Sequence, residues 1–279
     1  MLSSINVSSN ISSLSIVLPT INESENLKIL IPEITMVIQN MGLENYEIIV
    51  VDDGSTDNTF ELVEELRIND NNLNLIKRTK NPSLPLSILE GITKSQSEYV
   101  MWLDADNSMN AKSVKKLIDQ INEKKDSVVI GSRFTDGGGY KGVKDLSEKS
   151  IFSAMRNVND SNDSVLGMIA SNLFNKFLIT LLNLGVDDIT SGFIIGKKEV
   201  FNEEPFLIAD YGDYFIYLVN DLRKNKVDII EVGYICETRV FGETKTASSI
   251  AQLFRRGIPY LKAVVQCRID GYGNKRQKK

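Results

Sequence analysis

The stretch Tyr46-Glu47-Ile48-Ile49-Val50-Val51-Asp52-Asp53-Gly54-Ser55 decides the fold. Its continuous apolar run has no polar alternation, so it reads as a strand covered on both faces. The run ends in two carboxylates and a glycine turn, and a helical pattern opens near Asn58. A strand that meets polar residues at its carboxyl end and then enters a helix is half of a βαβ unit, and in open α/β sheets that end is where ligands bind.

Similar units lie on both sides. Strands are predicted at Ser15–Leu18, Leu73–Lys77, Tyr99–Leu103 and Ser127–Ile130, with helices near Glu25–Gln39, Asn58–Ile68, Leu86–Ser95 and Ala111–Lys124. This alternation predicts an α/β fold with a nucleotide-binding, mostly parallel sheet flanked by helices. After Gly131 the alternation breaks. Phe134–Asn162 reads as a long polar insertion, followed by a helix near Val165–Asn183, a strand at Phe193–Lys197, a helix near Gly212–Lys224 and a strand at Val227–Cys236. A last amphipathic helix begins near Ala247 and carries apolar residues at helical spacing from Ile250 to Val265.

The 279 residues are compatible with one domain or two. With no repeat and no linker in the sequence, one domain is the reading: a lead-in over 1–13, the main domain over 14–246, and the helix with its basic tail over 247–279. The N-terminus has no basic segment followed by an apolar core and is not read as a secretory signal. No apolar run reaches the ~18 residues needed to span a bilayer.

Composition narrows the chemistry. The chain has no histidine, which excludes a Ser-His-Asp triad, a Cys-His pair and every His-ligated metal site. A bound metal must then sit on oxygen ligands, which favours Mg2+ or Mn2+. The two cysteines, Cys236 and Cys267, read as reduced thiols. Net charge is −5, but from Ala251 onward eight basic residues face Asp270 alone, leaving +7 there and −12 on the rest. The acidic body and the lack of interleaved aromatic and basic residues argue against nucleic acid.

The second polar strand end is Trp102-Leu103-Asp104-Ala105-Asp106. The D-x-D spacing brings two carboxylates close enough to share a divalent cation, which would bridge the phosphates of a nucleotide diphosphate. Without a cation, two like charges this close would repel. Leu18-Pro19-Thr20-Ile21-Asn22-Glu23-Ser24 closes the first strand on the same crevice, where Ser24 reads equally as a helix cap. Asp57 and Ser55 are alternative caps for the second helix.

PTINESENL from Pro19, VVDDGSTDNT from Val50, WLDADNS from Trp102, VVIGSRF from Val128, DITSGF from Asp188 and RVFGETK from Arg239 occur in this order. Together they resemble the family 2 glycosyltransferases, in particular those that make dolichyl- or polyprenyl-phosphate mannose and glucose. The resemblance implies a GT-A fold, Mg2+ or Mn2+, a nucleotide diphosphate sugar (GDP-mannose or UDP-glucose), inversion at the anomeric carbon and a polyprenyl-phosphate acceptor. It places Pro19, Ile21, Glu23, Val51 and Asp53 around the base and ribose. It places the metal on Asp104, Asp106 and Ser108, with Ala105 beside the diphosphate. Arg133 would meet the acceptor phosphate, and Arg239 and Lys245 would neutralise the donor phosphates. The chain departs from the family at Ile21, where an aromatic is usual, at Ser83–Ser87 in place of a glycine-rich stretch, and at Ile194 in place of arginine.

A lipid phosphate is anionic at neutral pH and needs no general base, which suits a chain without histidine. A glycan hydroxyl would need one, and Asp188 is the candidate. A non-catalytic nucleotide-sugar binder is a third reading. The expected location is cytoplasmic, with peripheral contact at the inner membrane face through the last helix and its basic flank.

Overall fold

The computed structural model describes residues 10–140, 162–182, 184–237, 241 and 250–269. The Phe134–Asn162 insertion lies mostly outside these, as do Arg239, Lys245 and the tail after residue 269.

The chain runs β1 (Leu14–Thr20), α1 (Ser24–Asn40), β2 (Tyr46–Asp52), α2 (Thr59–Asn69), β3 (Leu73–Lys77), α3 (Leu84–Lys94), β4 (Tyr99–Trp102), α4 (Ala111–Glu123), β5 (Val128–Ser132), β6 (Gly139–Tyr140) and α5 (Asn162–Leu182). It continues through β7 (Ile194–Lys197), α6 (Glu204–Leu207), α7 (Tyr214–Lys224), β8 (Ile229–Gly233), β9 (Ile235–Cys236) and α8 (Ile250–Ile269). Seven strands form one sheet in the order β3-β2-β1-β4-β7-β5-β8. Only β7 runs antiparallel, wedged between β4 and β5.

The strand pleat sorts the core into two layers. Ile16, Leu18, Ile48, Val50, Met101 and Val129 face one side, against the apolar stripe of α1 (Leu27, Leu30, Ile34, Ile38) and against α4. Val17, Ile49, Val51, Val100, Trp102 and Ile130 face the other, against α3, α7 and the inner residues of α5 and α8. Both faces of the sheet are therefore covered, which accounts for the near-continuous apolar runs. The single tryptophan, Trp102, is fully buried between the edges of Phe201 and Phe206, and its indole N–H donates to the Tyr214 hydroxyl at 3.0 Å.

Three boundaries differ from the sequence reading. Ile11 is buried and its amide donates to Asn122 Oδ1 at 2.7 Å, so residues 10–13 pack on the domain instead of belonging to a lead-in. The strand expected over Val227–Cys236 breaks at Gly233. There the backbone of 136–138 approaches too closely for a side chain, Tyr234 N donates to Ser132 O, and β9 leaves to pair with β6. The last helix is not a separate unit on its inner face, because Ala263, Val264 and Cys267 enter the core beside α7. No helix among the described residues is long and apolar enough to cross a membrane.

Two outcomes follow from this packing. A Cβ on Gly91 of α3 would overlap Val17 Cγ1 on β1, so Gly91→Ala is expected to lower the urea unfolding free energy by about 1–3 kcal/mol. Burial pushes the Cys236 thiol up to about 11 and the Cys267 thiol up to about 12. Ellman's reagent at pH 8 should therefore react with the native protein roughly 100-fold more slowly than with the urea-unfolded chain.

Candidate functional site

Parallel pairing sets Pro19 beside Val51 and Thr20 beside Asp52, while Val17 pairs with Trp102. The carboxyl ends of β1, β2 and β4 thus share one edge of the sheet. Each strand-to-helix turn on that edge holds one residue in the left-handed region: Asn22 (φ 56°), Gly54 (φ 85°) and Asn107 (φ 64°). Asparagine and glycine are the residues that tolerate this conformation.

Side-chain amides lace the turns together. Asn22 Oδ1 accepts from Thr56 N at 2.7 Å, and the Asn22 backbone N–H donates to Ser55 Oγ at 2.9 Å. Asn107 Nδ2 donates to Asn26 O at 3.1 Å, and Asn26 Nδ2 donates to Glu23 Oε2 at 2.6 Å and to Phe241 O at 3.3 Å. Ser24 makes no side-chain cap on α1. Its amide instead donates to Asp57, whose other oxygen accepts from the Thr59 amide and hydroxyl. Burial acts to raise the Asp57 carboxyl, but these hydrogen bonds outweigh it and hold the group below its usual range. The caps and the crevice are therefore one network.

The two adjacent aspartates after β2 have different surroundings. Asp52 is fully buried; its Oδ1 accepts from Ser55 N at 2.9 Å and shapes the turn. Asp53 accepts from Arg78 Nη1 at 2.9 Å through one oxygen and from Ser83 N at 2.5 Å through the other. Arg78 also donates to Ser87 Oγ and pairs with Glu90. Sequence reasoning missed Arg78. Its signal was present, since it is the first cation beyond the carboxyl end of β3, and β3 pairs with β2 through Asp52 and Lys77.

Beyond β4, Ala105 and Asp106 are buried and Asp104 is half-buried. Asp106 Oδ1 accepts from Ser108 N at 3.0 Å, and Ser108 O accepts from Glu237 N at 3.0 Å. No group of three His, Cys, Asp or Glu gathers here or elsewhere among the described residues. The protein therefore offers the carboxylates of Asp104 and Asp106, hard oxygen donors two residues apart. That donor set fits a hard divalent cation that completes its shell with phosphate oxygens and water, and does not fit a closed structural site. Pro19, Ile21 and Glu23 lie partly exposed on the same edge, while Val51 is buried.

Arg133 and Asp188 were singled out for separate roles, and the structure joins them. Arg133 Nε donates to Asp188 Oδ2 at 2.8 Å and Nη2 to Asp188 Oδ1 at 2.9 Å, with the Arg133 amide adding a third bond at 3.0 Å. Thr190 donates its amide and hydroxyl to Asp188 Oδ1. Asp188 is wholly buried, and its own amide is held by Glu231. Burial disfavours the Arg133 charge, but the Asp188 carboxylate more than offsets it and holds the guanidinium above its ordinary range. With both oxygens taken by charge-assisted or hydroxyl donors, Asp188 is arranged as the anchor of Arg133. The side chains of Arg239 and Lys245 lie outside the described residues.

A buried bidentate pair is costly to halve. Asp188→Ala should lower unfolding stability by about 3–5 kcal/mol in urea titration, and replacing both partners with apolar residues of similar volume should cost less than the single change. A single-variant loss below about 0.5 kcal/mol would show the pair to be energetically idle.

The profile described as glycosyl transferase family 2 matches residues 15–204. A dolichol-phosphate mannosyltransferase of Pyrococcus furiosus is 31% identical over 199 residues, 69% of this chain and 55% of that protein. The chain thus spans little more than half the length of that relative. A polyprenol monophosphomannose synthase of Mycolicibacterium smegmatis is 25% identical over 240 residues, covering 84% of this chain and 81% of that one. Among solved structures, glucosyl-3-phosphoglycerate synthase from Mycobacterium tuberculosis, in complex with Mn2+, UDP and phosphoglyceric acid, superposes with a TM-score of 0.61 at 17% identity. The alignment covers 91% of this chain and 78% of that one, and the shared architecture is the GT-A fold expected from the motifs. The chain belongs to glycosyl transferase family 2.

Proposed function

We propose that the protein transfers a hexose, mannose or glucose, from a nucleotide diphosphate sugar to a polyprenyl-phosphate carrier, with inversion at the anomeric carbon. The donor is GDP-mannose or UDP-glucose, and the reaction takes place at the cytoplasmic face of a membrane. The names of the two relatives support this substrate class. The observation that carries it is the capture of Asp188 by Arg133. A hydroxyl acceptor needs a base, and the one carboxylate singled out for that task has both oxygens engaged. A phosphate monoester is already ionised at neutral pH and attacks without one.

In this reading the base and ribose rest against Pro19, Ile21, Glu23, Val51 and Asp53, and Arg78 fixes the direction of the Asp53 carboxylate. Asp104 and Asp106 would hold Mg2+ or Mn2+, with Ser108 beside them and Ala105 next to the diphosphate. A bound cation would offset the charge that develops on the departing nucleotide diphosphate. Arg239 and Lys245 add positive charge on that side. Arg133, kept charged by Asp188, faces the acceptor phosphate and holds one oxygen in line with the anomeric carbon. The attacking oxygen carries no proton that must be removed. Positioning and charge neutralisation therefore account for the rate.

The test supplies labelled GDP-, UDP- and dTDP-sugars, polyprenyl phosphate in detergent, and Mn2+ or Mg2+. Label should enter the organic phase from one donor, vanish on chelation with EDTA, and fall at least about 100-fold in Asp106→Asn. Sugar delivered only to a glycan hydroxyl, with activity lost in Asp188→Asn while donor binding persists, would overturn the lipid acceptor.

A further inference from the structure

We infer that the Tyr234 hydroxyl is a further acceptor-binding group, which donates a hydrogen bond to a phosphate monoester oxygen beside Arg133. The inference rests on the lipid-phosphate acceptor proposed above and adds a residue to its site. Tyr234 follows β8, and the parallel pairing of β8 with β5 sets Gly233 beside Ser132. The Tyr234 amide donates to Ser132 O at 3.0 Å, so Tyr234 and Arg133 are the next residues beyond two adjacent strand ends. Strand β7 runs antiparallel to both β4 and β5, which makes β4 and β5 parallel to each other. The ends of β5 and β8 therefore lie on the same edge of the sheet as the end of β4, which leads into Asp104 and Asp106.

The ring and the hydroxyl of Tyr234 differ in how well the fold provides for them. The ring packs edge-on against Phe193 at 5.5 Å, in the core layer that also holds Ala105 and Met109. The residue is fully buried, yet its hydroxyl has no hydrogen-bond partner among the described residues. A buried hydroxyl without a partner costs free energy that a phenylalanine at the same place would not. The Phe193 contact uses the ring alone, so packing does not call for the oxygen. A ligand that accepts a hydrogen bond from it removes the cost and gives the hydroxyl its reason.

The surroundings give the chemistry of that ligand. The phenol lies within electrostatic reach of Arg133, Cys236, Asp188 and Asp104, so it faces both the acceptor-side arginine and the D-x-D turn. Burial pushes the phenol well above its ordinary range, and Arg133 only partly opposes this. The hydroxyl therefore keeps its proton and is a neutral donor at any working pH. Arg133 supplies donors of its own. Its Nε and Nη2 are taken by Asp188 and Thr190, while Nη1 makes no hydrogen bond among the described residues. Because Asp188 already neutralises Arg133, the pair offers an incoming anion little net charge, and hydrogen-bond donors must do more of the holding. A charged guanidinium N–H and a phenol O–H suit a group with several acceptor oxygens and no need to donate, which describes an ionised phosphate monoester.

The experiment titrates the full chain with a short water-soluble prenyl phosphate by calorimetry, without donor, and follows urea unfolding and both KM values in the same proteins. Tyr234→Phe keeps the ring on Phe193 and removes only the oxygen. Its affinity for prenyl phosphate should fall about tenfold or more, because a hydrogen bond to a charged group is lost. The acceptor KM should rise to match while the donor KM holds, and the urea midpoint should stay level or rise. Equal affinity in wild type and Tyr234→Phe overturns the inference and leaves the lipid-phosphate acceptor standing. A lowered urea midpoint in Tyr234→Phe also overturns it, because the hydroxyl then serves a partner inside the fold or a buried water. Wild-type protein that binds no prenyl phosphate but delivers sugar to a glycan hydroxyl overturns the proposed acceptor, and this inference with it.

Discussion

Parallel pairing of β1 with both β2 and β4 is the constraint on which the rest depends. It brings three strand ends to one edge, and those ends lead into Glu23, Asp53, Asp104 and Asp106. A one-residue slip in either pairing would turn Asp53 or the Asp104 segment to the opposite face and exchange the two core layers. The register is held because each face packs closely against its own helices, so a slip would force Ile16, Leu18, Ile48 and Val50 into the space shaped for Val17, Ile49 and Val51 and the reverse. The hydrophobic pattern that makes the sheet fold therefore also aims the chemistry.

Around that edge, two ion pairs sort the charged groups by role. Arg78 and Asp53 sit at one end of the crevice, and Arg133 and Asp188 sit beyond the antiparallel strand β7. Both are screened from water, where a charge is tolerated only when it is paired and hydrogen-bonded. Beyond β4, Asp106 is buried and accepts from the Ser108 amide at 3.0 Å, while Asp104 is half-buried.

Much of this was legible in the residues. Apolar runs located β1 to β5, and a strand end with acids and a turn former was recognisable wherever it occurred. What escaped were relationships set by tertiary pairing. Arg78 is 25 residues from Asp53 and meets it only because β3 pairs with β2. Arg133 and Asp188 were both noticed, but their bond spans 55 residues and depends on β7 inserting between β4 and β5, out of sequence order. The break at Gly233 was hidden for a similar reason, because the backbone that crowds it comes from residues 136–138. The apolar stripe of the last helix was visible, yet only packing on α5 and α7 shows which residues it buries and which it leaves outside.

The central claim is that the shared edge of β1, β2 and β4 binds a nucleotide diphosphate with a divalent cation on Asp104 and Asp106. The most direct measurement is a crystal structure with Mn2+ and a nucleotide diphosphate, locating the metal by anomalous scattering. The account predicts one peak between the Asp104 and Asp106 carboxylates and the diphosphate, with the base at Asp53 and Arg78. A peak elsewhere, or a nucleotide bound away from this edge, would contradict it.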